Sequence, residues 1–370
     1  MEEDFLHKKL NERREQGAYR QLRLPEVKTD FSSNDYLGIV KKDLLTAAIA
    51  VKNYSHGSTG SRLLTGNSLQ AEQAEKEIAT FHDADAALLF NSGYDANLGL
   101  LSSVPQRGDL VLYDYLCHAS IRDGIRLCFA ESVSFRHNDI DDLERKLQKP
   151  GGRKFVVTES VFSMDGDIAP LKAIADLCES NDALLIVDEA HATGVVGARG
   201  EGVIQELGLQ HRCFARIHTF GKALGCHGAV ILGSDTLRNY LINFSRAFIY
   251  TTALPESSIA AIGAAYSMLE GMVSERNQLQ NLISKFRELA SGLQELPGNR
   301  MILQSSTPIQ GLIVPGNKEV KELSKLLIDA GLDLRPILYP TVPKGSERLR
   351  IVLHSYNTME EVGLLMNLIS

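Results

Sequence analysis

The sequence predicts an α/β fold, in which a large domain on a mostly parallel sheet is joined to a smaller α+β domain. The chain has 370 residues, too many for one small core. From residue 86, short apolar runs alternate with helical stretches, as in a parallel sheet covered by helices on both faces. We therefore predict an N-terminal arm at 1–45, a large domain at 46–240 and a small domain at 241–370, against which the arm packs.

The arm and the segment after it combine helices with loop motifs. In chain order they are a helix over 3–18, a link with Leu24 and Pro25, the motif FSSNDYLG at 31–38, a helix over 42–53, the loop HGSTGSRLLTGN at 56–67, and a helical run over 68–82. The 56–67 stretch is predicted as a loop because it contains three glycines and four serine or threonine residues.

The large domain is predicted to contain seven strands. The strands are 87–90, 110–113, 132–135, 155–158, 184–187, 214–219 and 228–232, and the helices between them are 95–102, 119–128, 141–148 and 170–180. Ligands of such sheets bind outside the carboxyl ends of the strands. Ser92, Ser163, Asp188 and Thr219 come just past predicted strand ends, so this edge is the expected site.

The small domain has a different pattern, with one long helical region and scattered strands. The helical region covers 255–296, and it is followed by a strand at 311–315, a helix at 318–330, a strand near 332–336, a strand at 349–354 and a terminal helix. Mixed short strands and helices of this kind indicate an α+β domain.

Composition excludes several classes of protein. Hydrophobic residues make up 44% and charged residues 23%, and the formal net charge of -7 argues against binding to nucleic acid. The five cysteines form no CxxC pair, so neither a zinc site nor a disulfide framework is expected. The acidic start MEEDFLHKKL is not a signal peptide, and no apolar run approaches the roughly 20 residues of a bilayer span. A cytoplasmic location fits these features.

The most informative residues are a lysine and an aspartate at two predicted strand ends. Lys222 follows the strand ending in Thr219, and Asp188 ends the run ALLIVD, three residues before His191. A carboxylate can pair with the ring nitrogen of a pyridine cofactor while a lysine forms a Schiff base with its aldehyde. A lone lysine after glycine is usually a solvated loop residue, and a lone strand-end aspartate often caps a helix; only the joint pattern favours the cofactor.

Other strand-end residues fit the same cofactor, each with an ordinary structural alternative. Backbone N–H groups at Gly93 and Tyr94 open a helix and could bind phosphate, although a plain strand–helix junction would look the same. His118 could stack on a flat ring or simply cap a helix. Ser163 could donate to a ring hydroxyl, while the following Asp-Gly is an ordinary turn signal. DEAH at 188–191 also occurs in helicases, but the required phosphate loop is absent from the sequence.

Taken together, these stretches resemble the α-oxoamine synthases, pyridoxal-phosphate enzymes of the aspartate-aminotransferase-like fold (fold type I). The resemblance runs through nearly the whole chain in order. The matching stretches are FSSNDYLG (31–38), GSTGSRLLTG (57–66), NSGYDAN (91–97), CHAS (117–120), TESVFSMDGDIAPL (158–171), VDEAHATGVVG (187–197), TFGKALG (219–225), FIYTTALP (248–255) and PTVPKGSERLRIVL (340–353).

The resemblance implies roles for individual residues toward pyridoxal 5'-phosphate and the substrates. Lys222 corresponds to the Schiff-base lysine, Asp188 to the partner of the ring nitrogen, and His118 to the histidine stacked on the ring. The residues implied to contact the ring oxygen or the phosphate are His191, Ser163, Gly93, Tyr94, Thr219, Thr251 and Thr252, the last two from the second subunit of a homodimer. The residues implied to bind substrates are Asn34 and Arg350 for the amino-acid carboxylate, and Arg20 and Thr341 for the acyl group.

The resemblance also implies the reaction, the decarboxylative condensation of an amino acid with an acyl thioester. FSSNDYLG and the 57–66 loop look most like the members that use L-alanine and a pimeloyl thioester, on coenzyme A or a carrier protein, in biotin synthesis. Members using glycine with acetyl-coenzyme A, and the more distant serine palmitoyltransferases and 5-aminolevulinate synthases, stay alternatives. An inactive regulatory subunit is expected to lack the lysine, and an aminotransferase is expected to carry an aromatic residue in place of His118.

Overall fold

The computed structural model describes residues 3–22, 24, 28–50, 52–293 and 296–370. Some predicted features therefore lie outside the described residues: Pro25 in the predicted link, Val51 in the predicted helix 42–53, and residues 294–295 of the predicted helical region. The chain forms two compact units. The smaller unit comprises Met1–Tyr36, Met164–Asp167 and Asn277–Ser370, and the larger one comprises Leu37–Ser163 and Ile168–Arg276.

The described residues contain 13 strands. In chain order they are β1 (Thr29–Asp30), β2 (Ala86–Phe90), β3 (Leu110–Asp114), β4 (Glu131–Phe135), β5 (Lys154–Glu159), β6 (Ala183–Asp188), β7 (Ala215–Thr219), β8 (Ala229–Gly233), β9 (Met301–Ile302), β10 (Ile309–Ile313), β11 (Leu332–Asp333), β12 (Pro336–Ile337) and β13 (Arg348–Val352). Strands β2 to β8 overlap the seven strands that the apolar runs predict for the large domain.

The same residues contain 14 α-helices and two 3-10 turns. The helices are α1 (Asp4–Glu15), α2 (Leu44–Ile49), α3 (Leu69–Phe81), α4 (Gly93–Ser103), α5 (Ala119–Leu127), α6 (Ile140–Leu147), α7 (Leu171–Ser180), α8 (Val203–Glu206), α9 (Asp235–Phe244), α10 (Arg246–Ile249), α11 (Glu256–Leu269), α12 (Val273–Ser291), α13 (Asn317–Asp329) and α14 (Met359–Ile369); the 3-10 turns are Gln210–Arg212 and Pro297–Asn299. None of these helices has the length and hydropathy of a membrane span.

Strands β2 to β8 form one sheet in the larger unit. Their order is β2-β8-β7-β6-β5-β3-β4, and every neighbouring pair is parallel except the two that involve β8. The predicted mostly parallel sheet is therefore confirmed. Only residues 220–228 join β7 to β8, too few for the crossover that a parallel pair needs, so β8 returns antiparallel. Because β8 is reversed, β2, β5, β6 and β7 all end at the same edge.

Burial explains why these strands read as unbroken apolar runs in the sequence. In β2 all five residues are buried, and in β5 five of six are buried, because the sheet is covered on both faces.

Serine side chains cap two of the helices that follow strands of this sheet. Ser92 and Ser234 cap α4 and α9, and each hydroxyl accepts a backbone N–H at 3.1 Å.

The smaller unit is built on short strands. A four-stranded antiparallel sheet has the order β12-β13-β10-β9, and β1 pairs in parallel with β11. The single strand expected near 332–336 is two short strands in different sheets, β11 and β12. The helical region expected over 255–296 is interrupted at residues 270–272, so that α11 and α12 are separate helices. Helices α8, α9 and α10 have no counterpart in the sequence prediction, and these three helices, like α11, belong to the larger unit.

Candidate active site

A lysine and a histidine meet at the common edge of β5, β6 and β7. The Nζ of Lys222 lies 2.9 Å from Nε2 of His191, and the His191 side chain is 5% exposed. The loop after β7 is pinned by Phe220, which is fully buried and pairs its backbone N–H and C=O with Gly228 and Cys226 at 2.9 and 2.8 Å. The lysine amine is therefore held at the sheet edge by a fixed turn.

Asp188 is the last residue of β6 and is 6% exposed. Its Oδ1 accepts the backbone N–H of Ala190 at 2.9 Å, and its Oδ2 accepts the side-chain amide of Asn97 at 2.7 Å. Two donors fix the carboxylate on both of its oxygens, and both come from within the larger unit. A carboxylate held in this way is suited to pair with a protonated ring nitrogen.

His118 occupies the N-cap position of α5 and uses its imidazole as the cap. Its Nδ1 accepts the backbone N–H of Ser120 at 3.3 Å and lies 2.8 Å from the Ser120 hydroxyl. Although one side of the residue is exposed, desolvation of the ring lowers the pKa of His118; Asp188 opposes this shift, and the positive charge of Lys222 adds to it. The shift favours the neutral imidazole, which suits stacking on a flat ring.

Three buried polar residues at this edge were not predicted from the sequence: Asn97, Ser120 and Glu159. Glu159 ends β5 beside Asp188 in the sheet register, and its Oε1 accepts the backbone N–H of His118 at 2.6 Å. Burial raises the pKa of Glu159 to about 8, with a further contribution from the charge of Asp188. A polar residue on an otherwise apolar helix face, as Asn97 is on α4, is the signal that sequence reasoning could have used.

The start of α4 approaches the end of β7, where a phosphate is expected. A Cβ added at Gly93 would lie 3.4 Å from both Cβ and Oγ1 of Thr219, so the backbone of α4 passes close to that threonine. The Thr219 hydroxyl donates to the carbonyl of Gly228 at 3.4 Å. Tyr94 points its hydroxyl to Asp123 at 2.5 Å and is 43% exposed, so its contribution to a phosphate site is through the backbone.

Ser163 and the threonine pair lie on segments that flank this edge. Ser163 lies shortly after β5, between Val161 and Ile168, which form an isolated antiparallel bridge. The side-chain amide of Asn91, at the end of β2, donates to Thr251 Oγ1 and to the Thr252 carbonyl, both at 2.9 Å. The phosphate contact implied for the two threonines, made from a second subunit, stays a prediction.

The glycine-rich loop packs against the segment that follows these threonines. The carbonyl of Gly60 accepts the N–H of Ala253 at 3.0 Å. A Cβ at Gly60 would overlap Thr65 Oγ1, and one at Gly66 would lie 2.6 Å from the Ala253 Cβ. Glycine is therefore required at both positions by close approach.

The predicted carboxylate-binding residues pair within the smaller unit. Arg350, on β13, donates from Nη2 to Asn34 Oδ1 at 2.8 Å, and the hydroxyl of Tyr36 donates to the same oxygen at 3.1 Å. Complete burial raises the pKa of Tyr36 to about 12, although the charge of Arg350 opposes the shift. Tyr36 therefore remains a hydrogen-bond donor at all ordinary pH values and orients the Asn34 amide.

The two residues predicted to lie near the acyl group also meet within the smaller unit. Arg20 Nη2 donates to Thr341 Oγ1 at 2.9 Å, although the residues are 321 positions apart in the sequence. Both side chains are exposed. The guanidinium is thus oriented by a hydroxyl while its other N–H groups remain available for a carboxylate.

Comparison with known proteins identifies the family of the chain. Residues 26–363 match the family model for class I and II aminotransferases. An 8-amino-7-oxononanoate synthase from Emericella nidulans is 42% identical over 395 aligned positions, covering 99% of this chain and 95% of the relative. The chain belongs to this family, and within it to the α-oxoamine synthases. An 8-amino-7-oxononanoate synthase from Lysinibacillus sphaericus is 39% identical, with 98% and 96% coverage.

Solved structures of other α-oxoamine synthases have the same fold. A serine palmitoyltransferase from Sphingomonas wittichii superposes with a TM-score of 0.85 at 30% identity, covering 92% of this chain and 86% of that one. The 8-amino-7-oxononanoate synthase of Francisella tularensis gives 0.80 at 30% identity, with 92% and 96% coverage. The aspartate-aminotransferase-like fold, pyridoxal phosphate as cofactor and enzymatic acyl transfer, all expected from the sequence, are therefore confirmed.

The residues at the sheet edge fit the cofactor of this α-oxoamine synthase. The larger unit supplies an amine at Lys222, a buried carboxylate at Asp188 and a neutral imidazole at His118. It also supplies the N-terminus of the 11-residue helix α4, beginning at a glycine that passes close to Thr219. These four groups match an aldehyde, a pyridine nitrogen, a flat ring face and a phosphate, in that order.

Proposed function

We propose that this protein condenses L-alanine with a pimeloyl thioester, releasing carbon dioxide and the free thiol, and so forms 8-amino-7-oxononanoate for biotin synthesis. The observation that carries the proposal is the placement of Lys222 beside His191 at the edge where Asp188 ends β6. The choice of substrates is supported by the relatives, which bear the name of this synthase at 38–42% identity over nearly the whole chain.

The residues of the larger unit hold the cofactor and move the proton. When bound, pyridoxal phosphate supplies an aldehyde that takes up the amine of alanine and a ring that accepts electrons from its Cα. Lys222 would hold the aldehyde, and its amine, when free, would take the Cα proton as a positioned base. Asp188 would keep a proton on the ring nitrogen through a charge-assisted hydrogen bond. His191 steadies the Lys222 amine from 2.9 Å.

The pair Asn34 and Arg350 orients the amino acid. A guanidinium fork grips a carboxylate through two parallel hydrogen bonds, and this fixes the direction of the bond from Cα to the carboxyl group. The Asn34 oxygen holds one Nη2 hydrogen of the arginine at 2.8 Å, so the fork is preorganised before alanine binds. Positioning of this kind can lower the activation barrier by several kcal/mol. This is a part of the roughly 7–11 kcal/mol that proximity and orientation can supply.

Arg20 is the proposed selector of the acyl chain. A pimeloyl group ends in a carboxylate, and an arginine held by Thr341 at 2.9 Å offers a charge to meet it. Acetyl and palmitoyl groups have no such terminal charge and would leave the arginine without a function. The resemblance of the fold to serine palmitoyltransferase favours serine with a long acyl chain as the second candidate, and the absence of a distal carboxylate in that substrate distinguishes the two.

The experiment compares substrate pairs on the purified protein loaded with pyridoxal phosphate. We expect L-alanine with pimeloyl-coenzyme A or pimeloyl carrier protein to react fastest, ahead of glycine with acetyl-coenzyme A and L-serine with palmitoyl-coenzyme A. Arg20→Ala should lower kcat/KM for the pimeloyl thioester by about 10- to 100-fold, because a carboxylate would lose its charged partner. The affinity for alanine should stay unchanged.

Arg13→Ala is the matched control, since Arg13 is another exposed arginine, on α1. It should leave both substrates unaffected. Faster turnover of glycine with acetyl-coenzyme A, or of serine with palmitoyl-coenzyme A, would replace the proposed substrate pair. Unaltered pimeloyl use in Arg20→Ala would remove Arg20 from the site.

We also propose that the active protein is a homodimer located in the cytoplasm. The loop at 57–66 exposes Leu63 and Leu64 at 49% and 81%, and Tyr250, next to the threonine pair, is 73% exposed. Large apolar side chains gathered on loops that contact each other favour a surface that a second copy covers. The five cysteines are all free thiols, which fits a reducing compartment.

A further inference from the structure

A continuous chain of side-chain hydrogen bonds links the proposed ring-nitrogen partner to the proposed stacking residue. The Nδ2 of Asn97 donates to Asp188 Oδ2 at 2.7 Å and to Ser120 Oγ at 3.1 Å. The Ser120 oxygen in turn lies 2.8 Å from His118 Nδ1. Asn97 and Ser120 are 2% and 1% exposed, so solvent does not compete for these bonds.

The direction of each bond follows from which atoms carry hydrogens. An amide nitrogen only donates, so Asn97 supplies one hydrogen to the carboxylate and the other to the Ser120 oxygen. The Ser120 hydroxyl has one hydrogen and two lone pairs, so it can accept from Asn97 and still direct its own hydrogen to His118 Nδ1. The backbone N–H of Ser120 points to the same Nδ1 at 3.3 Å and can only donate. This backbone donor requires that Nδ1 carries a lone pair, and the Ser120 hydroxyl then donates to the same atom.

The arrangement of Asn97 supports the same direction. Its Oδ1 is buried without a hydrogen-bond partner, while its nitrogen bonds two acceptors. Turning the amide over would satisfy neither acceptor and would place the oxygen against the Asp188 carboxylate. The amide is therefore held by its two donor bonds.

We propose that Asn97 and Ser120 are positioning residues that hold His118 as the neutral tautomer with its proton on Nε2, and that couple this tautomer to the Asp188 carboxylate. His118 then presents an uncharged ring with a single N–H donor, at Nε2. Glu159 assists by fixing the backbone of His118 through the 2.6 Å bond to its N–H. The consequence for catalysis rests on the proposed function, but the tautomer is a property of the protein without substrate.

Several facts of the fold act in the same direction as this chain. The N-terminus of α5 begins directly at His118, and the positive end of a helix disfavours a positive charge on the ring. Desolvation lowers the pKa of His118 as well, and the nearby Lys222 adds to the effect against the opposing charge of Asp188. Arg122 and Asp123 on α5 also act on the ring, with opposite signs.

The test reads the ring nitrogens directly by NMR. The protein is labelled with 15N-histidine, with and without pyridoxal phosphate, and the His118 signals are assigned with the variant His118→Asn among the ten histidines. We expect an unprotonated Nδ1 and a protonated Nε2 at neutral pH in both forms. In Ser120→Ala the pH midpoint of His118 should rise, and the proton that charges the ring should bind to Nδ1 about three- to tenfold more tightly, because a donor to the neutral ring is lost.

Three further variants separate positioning from a merely structural effect. Ser120→Thr keeps the hydroxyl and should restore the tautomer and the midpoint. Ser103→Ala removes a hydroxyl on α4 that bonds only to backbone carbonyls and should change neither. Asn97→Ala should shift the midpoint in the same direction as Ser120→Ala, by a smaller amount.

The unaltered protein alone can overturn the proposal, even if every variant fails to fold. A protonated Nδ1 on His118 in that protein contradicts it, as does a Ser120→Ala midpoint equal to that of the parent. Substrate assays do not enter this test. Failure of the condensation reaction and failure of the tautomer assignment are therefore distinguished.

Discussion

At the scale of single residues, the site depends on where Lys222 places its amine. The 2.9 Å contact with His191 Nε2 holds Nζ at the edge of the sheet, beside the end of β6. The contact is a hydrogen bond to a ring nitrogen, so the amine can leave it without separating an ion pair of full charges. This suits a group that is proposed to hold the cofactor in one step and take a proton in the next.

The variant Lys222→Ala tests both proposed roles of the lysine. We expect it to fold, to lose the visible absorbance of the lysine-bound cofactor, and to lose turnover by about 10²–10⁴-fold or more, because the covalent link and the base disappear together. Absorbance spectra and product formation are the measurements. Lys172→Ala, which alters an exposed lysine on α7, should keep both. Turnover preserved in Lys222→Ala would contradict the assignment.

Residues could be predicted from the sequence where a motif placed them at a strand end. Lys222, Asp188 and His118 carry charge or a ring next to apolar runs, and such positions are visible in one dimension. Asn97 and Ser120 lie inside helices, and the bonds that bring Asn97 to Ser120 and to Asp188 span 23 and 91 positions. Long-range hydrogen bonds of this kind leave no periodic trace, which is why these two residues were missed.

At the scale of elements, the ends of β5 and β6 bring two buried carboxyl groups together. Glu159 and Asp188 are register partners, and Glu159 also holds the start of α5 through the His118 N–H. Two carboxylates cannot both be charged in such a place without strong repulsion. Burial and this repulsion explain why the pKa of Glu159 is raised to about 8. Burial likewise raises the pKa of the neighbouring Glu189 to about 7.

These raised values predict a pH dependence of stability in the cofactor-free protein. The folded state keeps the Glu159 proton up to about pH 8, whereas the unfolded chain loses it near the ordinary value of 4.5. The associated stabilisation is therefore complete in acid and declines as the pH rises between those two values. Glu159→Gln, which mimics the protonated acid, should flatten this decline by on the order of a few kcal/mol. Denaturant unfolding from pH 5 to 9 measures it.

The control for this prediction is a glutamate without burial. Glu131→Gln alters an exposed residue at the start of β4 and should reproduce the parent curve. A residual decline is expected in Glu159→Gln, because the pKa of Glu189 is raised as well and acts with the same sign. Parallel curves for Glu159→Gln and the parent would contradict a protonated Glu159.

Some helices and strands could be predicted from the sequence more readily than others. Long, largely buried strands such as β5 are clear in the sequence, because both faces of the sheet demand apolar residues. The reversal of β8 was not predictable from its apolar run, since periodicity carries no direction. In the smaller unit, β1, β9, β11 and β12 have two residues each, too few for any pattern, and their pairing is fixed by tertiary structure.

At the scale of the whole molecule, the proposed roles divide between two groups of residues. The residues proposed for the cofactor, including Lys222 and Asp188, belong to the larger unit, and the four proposed for the substrates belong to the smaller one. The pairs Asn34 with Arg350 and Arg20 with Thr341 each join residues more than 300 positions apart. These pairs form because the smaller unit contains both the N-terminal and the C-terminal part of the chain.

The proposed dimer can be tested by mixing two inactive variants, which tells more than a measurement of molecular mass. If Thr251 and Thr252 complete the site of a second subunit, a chain carrying Thr251→Val and Thr252→Val is defective only in its partner's site. Mixing it with the Lys222→Ala chain under conditions that exchange subunits places both defects in one site of each hybrid. The other site is then intact, and random assortment should recover about one quarter of the parental activity.

The matched control uses two defects that belong to the same site of the same chain. Asp188→Asn mixed with Lys222→Ala leaves every hybrid site with one defect, because both residues lie at one sheet edge of one unit. No activity should return in that mixture, although hybrids form equally well, as sedimentation of differently tagged chains would show. Recovery in neither mixture would mean that the threonines serve their own chain, whose Asn91 already binds both of them at 2.9 Å. The threonine pair would then hold the end of β2, and the proposed exchange of residues between subunits would be wrong.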